Sequence, residues 1–291
     1  MKKLWSFVSG LAASILVFAV VSGCGGAKFD AAKNVAVVVR EDGSGTKSAF
    51  MEIIGLKGKT DPTGVIIQQG VAGVLTEVKG NPVAIAYDSL GYITSDVKIL
   101  KLDGVDATVA NIVNGSYKLS RPLSIIYKEP ALDTAVNQAF LDFLKSSNAQ
   151  RIISDEGYVP IVNNAPAYTV NPSLSGSISV GGSTSLQDLM VDLAQEFRRL
   201  QPSVQVAVSG GGSGTGYNDA ERGVLTFGMI SEEFAAEKAP SCVVYTVCKD
   251  GIAVIVNKAN PLESITMGQL KNIYDKDAGS AAITKWSTLV S

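Results

Sequence analysis

Hydrogen-bond donors are concentrated in the sequence REDGSGTK, which begins at Arg40. The apolar run 35–39 before it predicts a buried strand because it is short, continuous and β-branched, and residues 48–54 after it predict a helix. A strand, a Gly/Ser/Thr turn and a helix start collect unpaired backbone N–H groups in one concavity. Ser44 and Thr46 add hydroxyls, and Arg40 adds a permanently charged fork of donors. This chemistry suits a compact oxyanion.

Two other junctions have the same composition. Residues 204–208 alternate like a strand and continue into the turn SGGGSGTG at 209–216. The strand-like run 178–180 continues into GGSTS at 181–185, and a helical pattern follows. A single Gly-rich turn is usually only a turn, but three strand–turn–helix junctions rich in hydroxyls are a far more specific signal. The sequence therefore predicts an anion site built from distant parts of the chain.

Composition argues against enzyme chemistry. The chain has no histidine, which excludes Ser-His-Asp and Cys-His catalysis and removes the commonest transition-metal ligand. No Cys/Asp/Glu group has metal-ligand spacing. Gly58-Lys59-Thr60 is similar to the end of a nucleotide-binding loop, but Ile53 stands where that motif needs glycine, and the glycines at 210–216 do not fit the dinucleotide spacing. We expect a protein that is not an enzyme and that has no metal or cofactor.

The N-terminal segment has the pattern of a targeting sequence. A basic start, the apolar stretch 11–21 and small residues ending at Cys24 resemble the lipobox of bacterial lipoproteins. This predicts a signal peptide at 1–23, a lipid on Cys24 that anchors the protein to the membrane, and a tether at 24–32. An uncleaved membrane anchor is the alternative, although the apolar run is short for a spanning helix. The predicted location is extracytoplasmic, at the cell membrane.

The net charge of the chain narrows the class of its binding partner. Loss of residues 1–23 removes two lysines and no acid, which moves the formal charge from −2 to −4. Since the sequence has no basic run interleaved with aromatic residues, we expect no nucleic-acid partner.

Cys242 and Cys248 would be too far apart to bridge on one extended strand, and a turn between them would be needed. Their pairing stays open, with free thiols favoured.

The rest of the chain alternates strands with helices. The predicted strands are 83–87, 97–102, 122–127, 243–245 and 252–257, and the predicted helices are 135–153 and 267–274, the second capped by Thr266. Residues 163–175 contain two prolines and three asparagines without a period, which predicts a linker. The pattern indicates an α/β protein in two lobes.

These segments together resemble the substrate-binding proteins of bacterial phosphate ABC transporters, of the type II periplasmic-binding-protein family, with the two halves exchanged. In that family the Arg-Glu-Asp-Gly-Ser-Gly-Thr segment comes late and the chain ends near a Gly-Tyr-Val-Pro like 157–160. The segments that precede it there resemble 178–183, 210–216, 227–231, 250–257 and Lys285-Trp286. In this chain the half 33–162 precedes the half 176–291. The resemblance therefore implies a circular permutation in which 163–175 joins the family's old termini.

The resemblance also implies an arrangement of lobes around a ligand cleft. Lobe I is expected to be continuous, 95–252, and to contain the permutation linker 163–175. Lobe II is expected to be assembled from 33–94 and 253–291, with the new termini close together on it. An exchange of halves between two copies, giving a swapped dimer, is the alternative.

The family's phosphate contacts transfer onto matching positions of this sequence. The resemblance assigns phosphate binding to Thr184, Ser185, Ser213 and Ser231 on lobe I, and to Arg40, Ser44, Gly45 and Thr46 on lobe II, with Gly45 acting through its backbone N–H. Asp42 is expected to hold Arg40 in place and to accept the proton that hydrogen phosphate carries and sulfate lacks. Two positions depart from the family. Ser231 stands where characterised members can have aspartate, and Glu232 stands where relatives often have arginine.

The implied function is capture of inorganic phosphate between two lobes and its delivery to the permease of an ABC transporter. A binding protein for another oxyanion, such as sulfate or molybdate, would use the same donors. A phosphate-sensing surface protein without a transport role is a further alternative. A phosphatase or other hydrolase is the least favoured, because the chain has neither histidine nor a metal cluster.

Overall fold

The computed structural model of the chain describes residues 28–290. The predicted signal peptide, the lipid-bearing Cys24 and the first part of the tether lie outside the described residues. The strands are β1 Ala36–Arg40, β2 Ile66–Gln68, β3 Ala84–Ser89, β4 Val97–Ile99, β5 Lys101–Leu102, β6 Ser120–Tyr127, β7 Val159–Pro160, β8 Gly176–Gly182, β9 Val204–Ser209, β10 Phe227–Ile230, β11 Val243–Asn257 and β12 Ser264–Ile265. The α-helices are α1 Gly45–Ile53, α2 Gly70–Gly80, α3 Val109–Val113, α4 Ala135–Leu144, α5 Ser147–Asp155, α6 Gln187–Leu200, α7 Ser213–Glu221 and α8 Met267–Tyr274.

One long, mixed sheet runs through both lobes. Its strand order is β2-β1-β3-β11-β6-β10-β8-β9, with β4 and β7 beside β11, and β5 pairs with β12 in a separate small sheet. Strands β1, β2 and β3 are mutually parallel around β1, and β8 pairs in parallel with β9 and β10. Parallel strands end at the same edge, so the turns that follow β1 and β3, and those that follow β8 and β9, gather at the carboxyl ends of their strands.

Strand β11 joins the lobes. Its first part, 243–251, pairs with β6, and its second part, 252–257, pairs with β3 and β4. One apolar core packs α4, α5 and α6 around Phe140 and Phe197, and another packs α1 and α8 around Phe50 and Trp286. The predicted α/β, two-lobed architecture is confirmed.

The lobe boundary differs from the expected position after residue 94. Strand β4 pairs with 255–257, and Tyr117 and Leu119 are fully buried in the core around Phe50. The Tyr117 hydroxyl also donates to the Ile252 carbonyl at 2.8 Å. We therefore assign 28–119 and 252–290 to lobe II and 120–251 to lobe I. The apolar alternation of 97–102 would suit a strand in either lobe, so the local pattern could not correct its expected place in lobe I.

Residues 163–175 form no helix or strand, but they pack on lobe I. The Tyr168 ring lies 5.7 Å from the rings of Phe143 and Phe197, centroid to centroid, and Leu174 is buried. At the other end of the molecule Phe29 lies edge-on against Trp286 at 5.6 Å. The first and last described segments of the chain are therefore neighbours on lobe II.

Two smaller points concern membranes and thiols. Within residues 28–290 no helix is long and apolar enough to cross a membrane. In the same part of the chain Cys242 and Cys248 are free thiols, and both are buried.

Candidate anion-binding site

The turns at the starts of α1 and α7 face each other across the cleft. Helix α1 begins directly after Ser44, whose Oγ accepts from the Lys47 N–H at 3.3 Å and so caps the helix. On the opposite side, the Gly214 N–H in the first turn of α7 donates to the Gly43 carbonyl at 3.1 Å. Two helix N-termini from different lobes therefore lie against one region, and their dipoles favour negative charge there.

Arg40 lies at the centre of this region, with its side chain 1% exposed. Its Nε and Nη2 donate to the two carboxylate oxygens of Glu41, both at 2.9 Å. Its Nη1 donates to Asp88 Oδ1 at 3.2 Å. The remaining N–H groups face hydroxyls, with Nη2 at 2.8 Å from Thr184 Oγ1 and Nη1 at 3.5 Å from Thr46 Oγ1. The guanidinium is thus fixed on one side by carboxylates and directed on the other towards hydroxyls of both lobes.

Burial, hydrogen bonds and neighbouring charges shift the pKa values of Arg40, Glu41 and Asp88. Burial opposes the charge of Arg40, but the hydrogen bonds that Arg40 donates to Glu41 and the negative charges of Asp88 and Glu41 outweigh this, so the pKa of Arg40 is raised. For Glu41, burial alone would raise the pKa, and the hydrogen bond and charge of Arg40 lower it below the usual value. Complete burial raises the pKa of Asp88, against the opposing effect of Arg40. The guanidinium remains a permanent cation.

The other hydroxyls form two close pairs. Thr46 Oγ1 and Ser185 Oγ are 2.8 Å apart and bridge the lobes. Ser213 Oγ and Ser231 Oγ are 3.3 Å apart, and the Ser231 N–H donates to Ser213 Oγ at 3.1 Å. All four side chains are buried. A hydroxyl can donate and accept, so such a group suits oxyanions in more than one protonation state.

Gly45 is placed where only glycine fits. A Cβ built on it would collide with Ser213 Oγ and lie 2.6 Å from Ser231 Oγ. The backbone at the start of α1 therefore rests directly against the hydroxyl pair of lobe I. The eight residues assigned to phosphate lie together in this way, and we call them the donor cluster: Arg40, Ser44, Gly45, Thr46, Thr184, Ser185, Ser213 and Ser231.

The expectation that Asp42 holds Arg40 is wrong. Its side chain is 99% exposed and accepts from Lys47 Nζ at 2.8 Å instead of holding Arg40. The reason is local: residue 42 lies in the turn after β1, and Lys47 in the first turns of α1 offers it a partner in solvent. This hydrogen bond from Lys47 lowers the pKa of Asp42.

Glu41 and Asp88 take the part expected of Asp42, and sequence reasoning missed both. For Asp88 a signal existed. Strands β1 and β3 are parallel, with Ala36 opposite Ala84, so the same register places Arg40 beside Asp88 at the strand ends. Both residues directly follow apolar runs, but pairing of the two strands has to be known before the signal can be used.

The donor set suits an anion. Among the described residues, no group of three or more Cys, Asp or Glu side chains is arranged to hold a metal ion. The donor cluster offers hydroxyls, backbone N–H groups and a guanidinium, while the carboxylates of Glu41 and Asp88 are engaged by Arg40. The arrangement can bind a small tetrahedral anion through both lobes at once.

Comparison with known proteins identifies relatives of the chain. The sequence profile of the PBP superfamily domain matches residues 27–148 and 168–290. The chain is 35% identical to phosphate-binding protein PstS 2 of Streptococcus agalactiae over 97% of its own length and 96% of the relative's. It is 32% identical to phosphate-binding protein PstS of Bacillus subtilis over 133 residues, which are 45% of the chain and 43% of that relative.

A solved structure matches the fold as well as the sequence. It is a phosphate ABC transporter, phosphate-binding protein from Streptococcus pneumoniae TIGR4, with a TM-score of 0.70 and 33% identity. The match covers 88% of this chain and 99% of that one. Since both the profile and relatives above 30% identity cover most of its length, the chain belongs to the PBP superfamily and, within it, to the family of PstS phosphate-binding proteins.

Proposed function

We propose that this protein binds inorganic phosphate between its lobes as the substrate-binding component of a phosphate ABC transporter. The observation that supports this most strongly is the position of Arg40. Its guanidinium is buried, fixed by Glu41 and Asp88, and directed at the hydroxyls of Thr46 and Thr184 from different lobes. The names of the relatives and of the matched structure support phosphate as the ligand.

The proposed binding mode follows from the donor cluster. Phosphate oxygens accept from Arg40 Nη1 and Nη2, in place of the contacts to Thr46 and Thr184, and from the surrounding hydroxyls and the Gly45 N–H. Each hydrogen bond to a charged group contributes roughly 1.5–3 kcal/mol. Several such bonds are sufficient for a dissociation constant of about 1 μM or below. Because donors come from both lobes, the ligand stabilises the closed arrangement.

Isothermal titration calorimetry tests the ligand. Phosphate titrated into the purified protein is expected to bind one to one, and sulfate and molybdate added first are expected to compete weakly. Heat released with sulfate or molybdate but not with phosphate would establish the alternative oxyanion and contradict the proposal.

The membrane attachment is also a proposal. The lipobox-like sequence ending at Cys24 supports a lipid anchor that keeps the protein beside a permease partner outside the cytoplasm. In a cell fractionation the unmodified protein is expected in the membrane fraction and Cys24→Ser outside it. Equal membrane recovery of both would contradict lipidation at this residue. Co-purification of the permease subunits with the unmodified protein tests the partner.

We further propose that the order of halves is permuted relative to some members of the family, such as the Bacillus relative. The Streptococcus relative aligns from end to end, whereas the Bacillus relative aligns over less than half, as expected when two halves are exchanged. The proximity of Phe29 and Trp286 supports the same proposal. A variant that joins residue 290 to residue 28 and opens the chain within 163–175 is expected to fold and bind phosphate. A product that folds without binding phosphate would count against it.

A further inference from the structure

A buried ion pair lies where the paired strands β6 and β11 pass from one lobe to the other. Arg121 Nη2 and Nε lie 3.0 and 3.3 Å from Asp250 Oδ2, and both side chains are 1% exposed. The two residues are register partners in β6 and β11, next to the pair Ser120 and Gly251. They therefore lie directly beside the last residue pair of lobe I, at its boundary with lobe II.

This ion pair is connected to both halves of the donor cluster. On the lobe I side, Arg121 Nη1 donates to the Ser231 carbonyl at 3.1 Å. On the lobe II side, Ser89 Oγ donates to Asp250 Oδ2 at 2.7 Å. The Ser89 N–H donates to Asp88 Oδ1 at 2.8 Å, and Asp88 holds Arg40. A continuous path of buried hydrogen bonds thus runs from Ser231, through the Arg121–Asp250 ion pair, to Arg40.

The position of the ion pair argues for more than stability. Burying two charges is costly, and an apolar pair of similar volume often stabilises a fold as well. Here Arg121 also donates to the Ser231 carbonyl of the donor cluster, and Asp250 also accepts from Ser89 on the other lobe. From this juxtaposition we infer that Arg121 is a positioning residue: held by Asp250, which Ser89 holds in turn, it sets where the Ser231 turn lies relative to Arg40. The inference rests on the proposed function for its effect on phosphate, but not for its effect on Ser231.

Ser89→Ala tests this path with little disturbance. It removes the hydroxyl that links lobe II to Asp250 and leaves both ion pairs in place. The matched control is Ser124→Ala, since Ser124 is equally buried in β6 and donates to Thr246 Oγ1 at 3.2 Å within lobe I. We expect Ser89→Ala to weaken phosphate binding about fivefold and the control to change it less than about twofold.

Amide hydrogen exchange measured without phosphate separates the inference from the proposed function. The N–H of Ser231, which donates to Ser213 Oγ, should exchange faster in Ser89→Ala and in Arg121→Lys than in the unmodified protein. In Ser124→Ala its exchange rate should be unchanged. Unchanged exchange at Ser231 in the first two variants would overturn the positioning role. Absence of phosphate binding by the unmodified protein would overturn the proposed function and leave this exchange comparison valid.

Discussion

At the scale of single residues, the site depends on how the charged guanidinium of Arg40 is kept buried and directed. Arg40 is surrounded by two carboxylates that it holds itself, so its charge is compensated on the side away from the ligand. A buried charge is tolerated only when it is paired and hydrogen-bonded. The same pairing engages the carboxylate oxygens of Glu41 and Asp88 with Arg40.

Replacement of the Arg40 guanidinium should abolish most of the affinity for phosphate. Arg40→Ala is expected to weaken phosphate binding at least about tenfold, because charge-assisted bonds are lost and Asp88 is left as an uncompensated buried carboxylate. The control is Arg199→Ala, since Arg199 is exposed and pairs with Glu196 on the outside of α6. Calorimetry measures the affinity, and circular dichroism confirms that each variant is folded. Near-normal binding by folded Arg40→Ala would refute the assignment.

A single methyl group at Gly45 should prevent the lobes from meeting. In Gly45→Ala the new Cβ occupies the place of the Ser213 and Ser231 hydroxyls, so phosphate affinity is expected to fall at least about tenfold. Gly80→Ala is the control, because a methyl on Gly80 would point into open space and collide with none of the described residues. If both variants bind phosphate equally well, α1 does not approach the hydroxyl pair as described.

Glu41 should contribute to the acid sensitivity of the fold. Its pKa is lowered from the usual 4.5 by Arg40, which outweighs the effect of burial. A carboxylate with a lowered pKa in the folded state stabilises the fold above its unfolded pKa, and this stabilisation is lost as the pH falls through the folded value. We expect the melting temperature of Glu41→Gln to fall less than that of the unmodified protein between pH 6 and pH 3. Parallel curves would contradict the role of Glu41.

At the scale of elements, the junctions were predictable and the partners of Arg40 were not. The three strand–turn–helix patterns place α1, α6 and α7 correctly, because apolar runs and Gly/Ser/Thr turns are local signals. The predicted helix 135–153 is divided into α4 and α5 at Ser146, and the two predicted strands near 243 and 257 are one strand, β11. In the second case Asp250 and Gly251 resemble a turn, but their pairing with β6 keeps the backbone extended.

The start of α8 provides a test confined to one element. Thr266 Oγ1 accepts from the Gln269 N–H at 3.1 Å, and Gln269 Oε1 accepts from the Thr266 N–H at 2.8 Å, which is a capping box. Thr266→Ala is expected to lower the free energy of unfolding by about 1 kcal/mol and to leave phosphate affinity unchanged. Thr76→Ala, within α2, is the control and should cost less. Urea unfolding measures both, and a loss of affinity in Thr266→Ala would show coupling that the structure does not explain.

At the scale of the whole molecule, the site exists only because both lobes meet. Contacts between them include the Asp188 N–H donating to Tyr92 Oη at 2.8 Å and the bond between Arg40 and Thr184. The resemblance to a known family predicted this two-lobed arrangement. It could not predict that the chain changes lobes at Leu119 and Ser120, because that depends on how 97–119 pack, and local patterns do not determine such long-range packing.

The most direct test is a crystal structure of the protein with bound phosphate. The account predicts one tetrahedral anion within hydrogen-bond distance of Arg40 and Thr46 on lobe II and of Ser213 and Ser231 on lobe I. Phosphate bound elsewhere, or contacting one lobe only while the Arg40 guanidinium keeps all its protein partners, would contradict it.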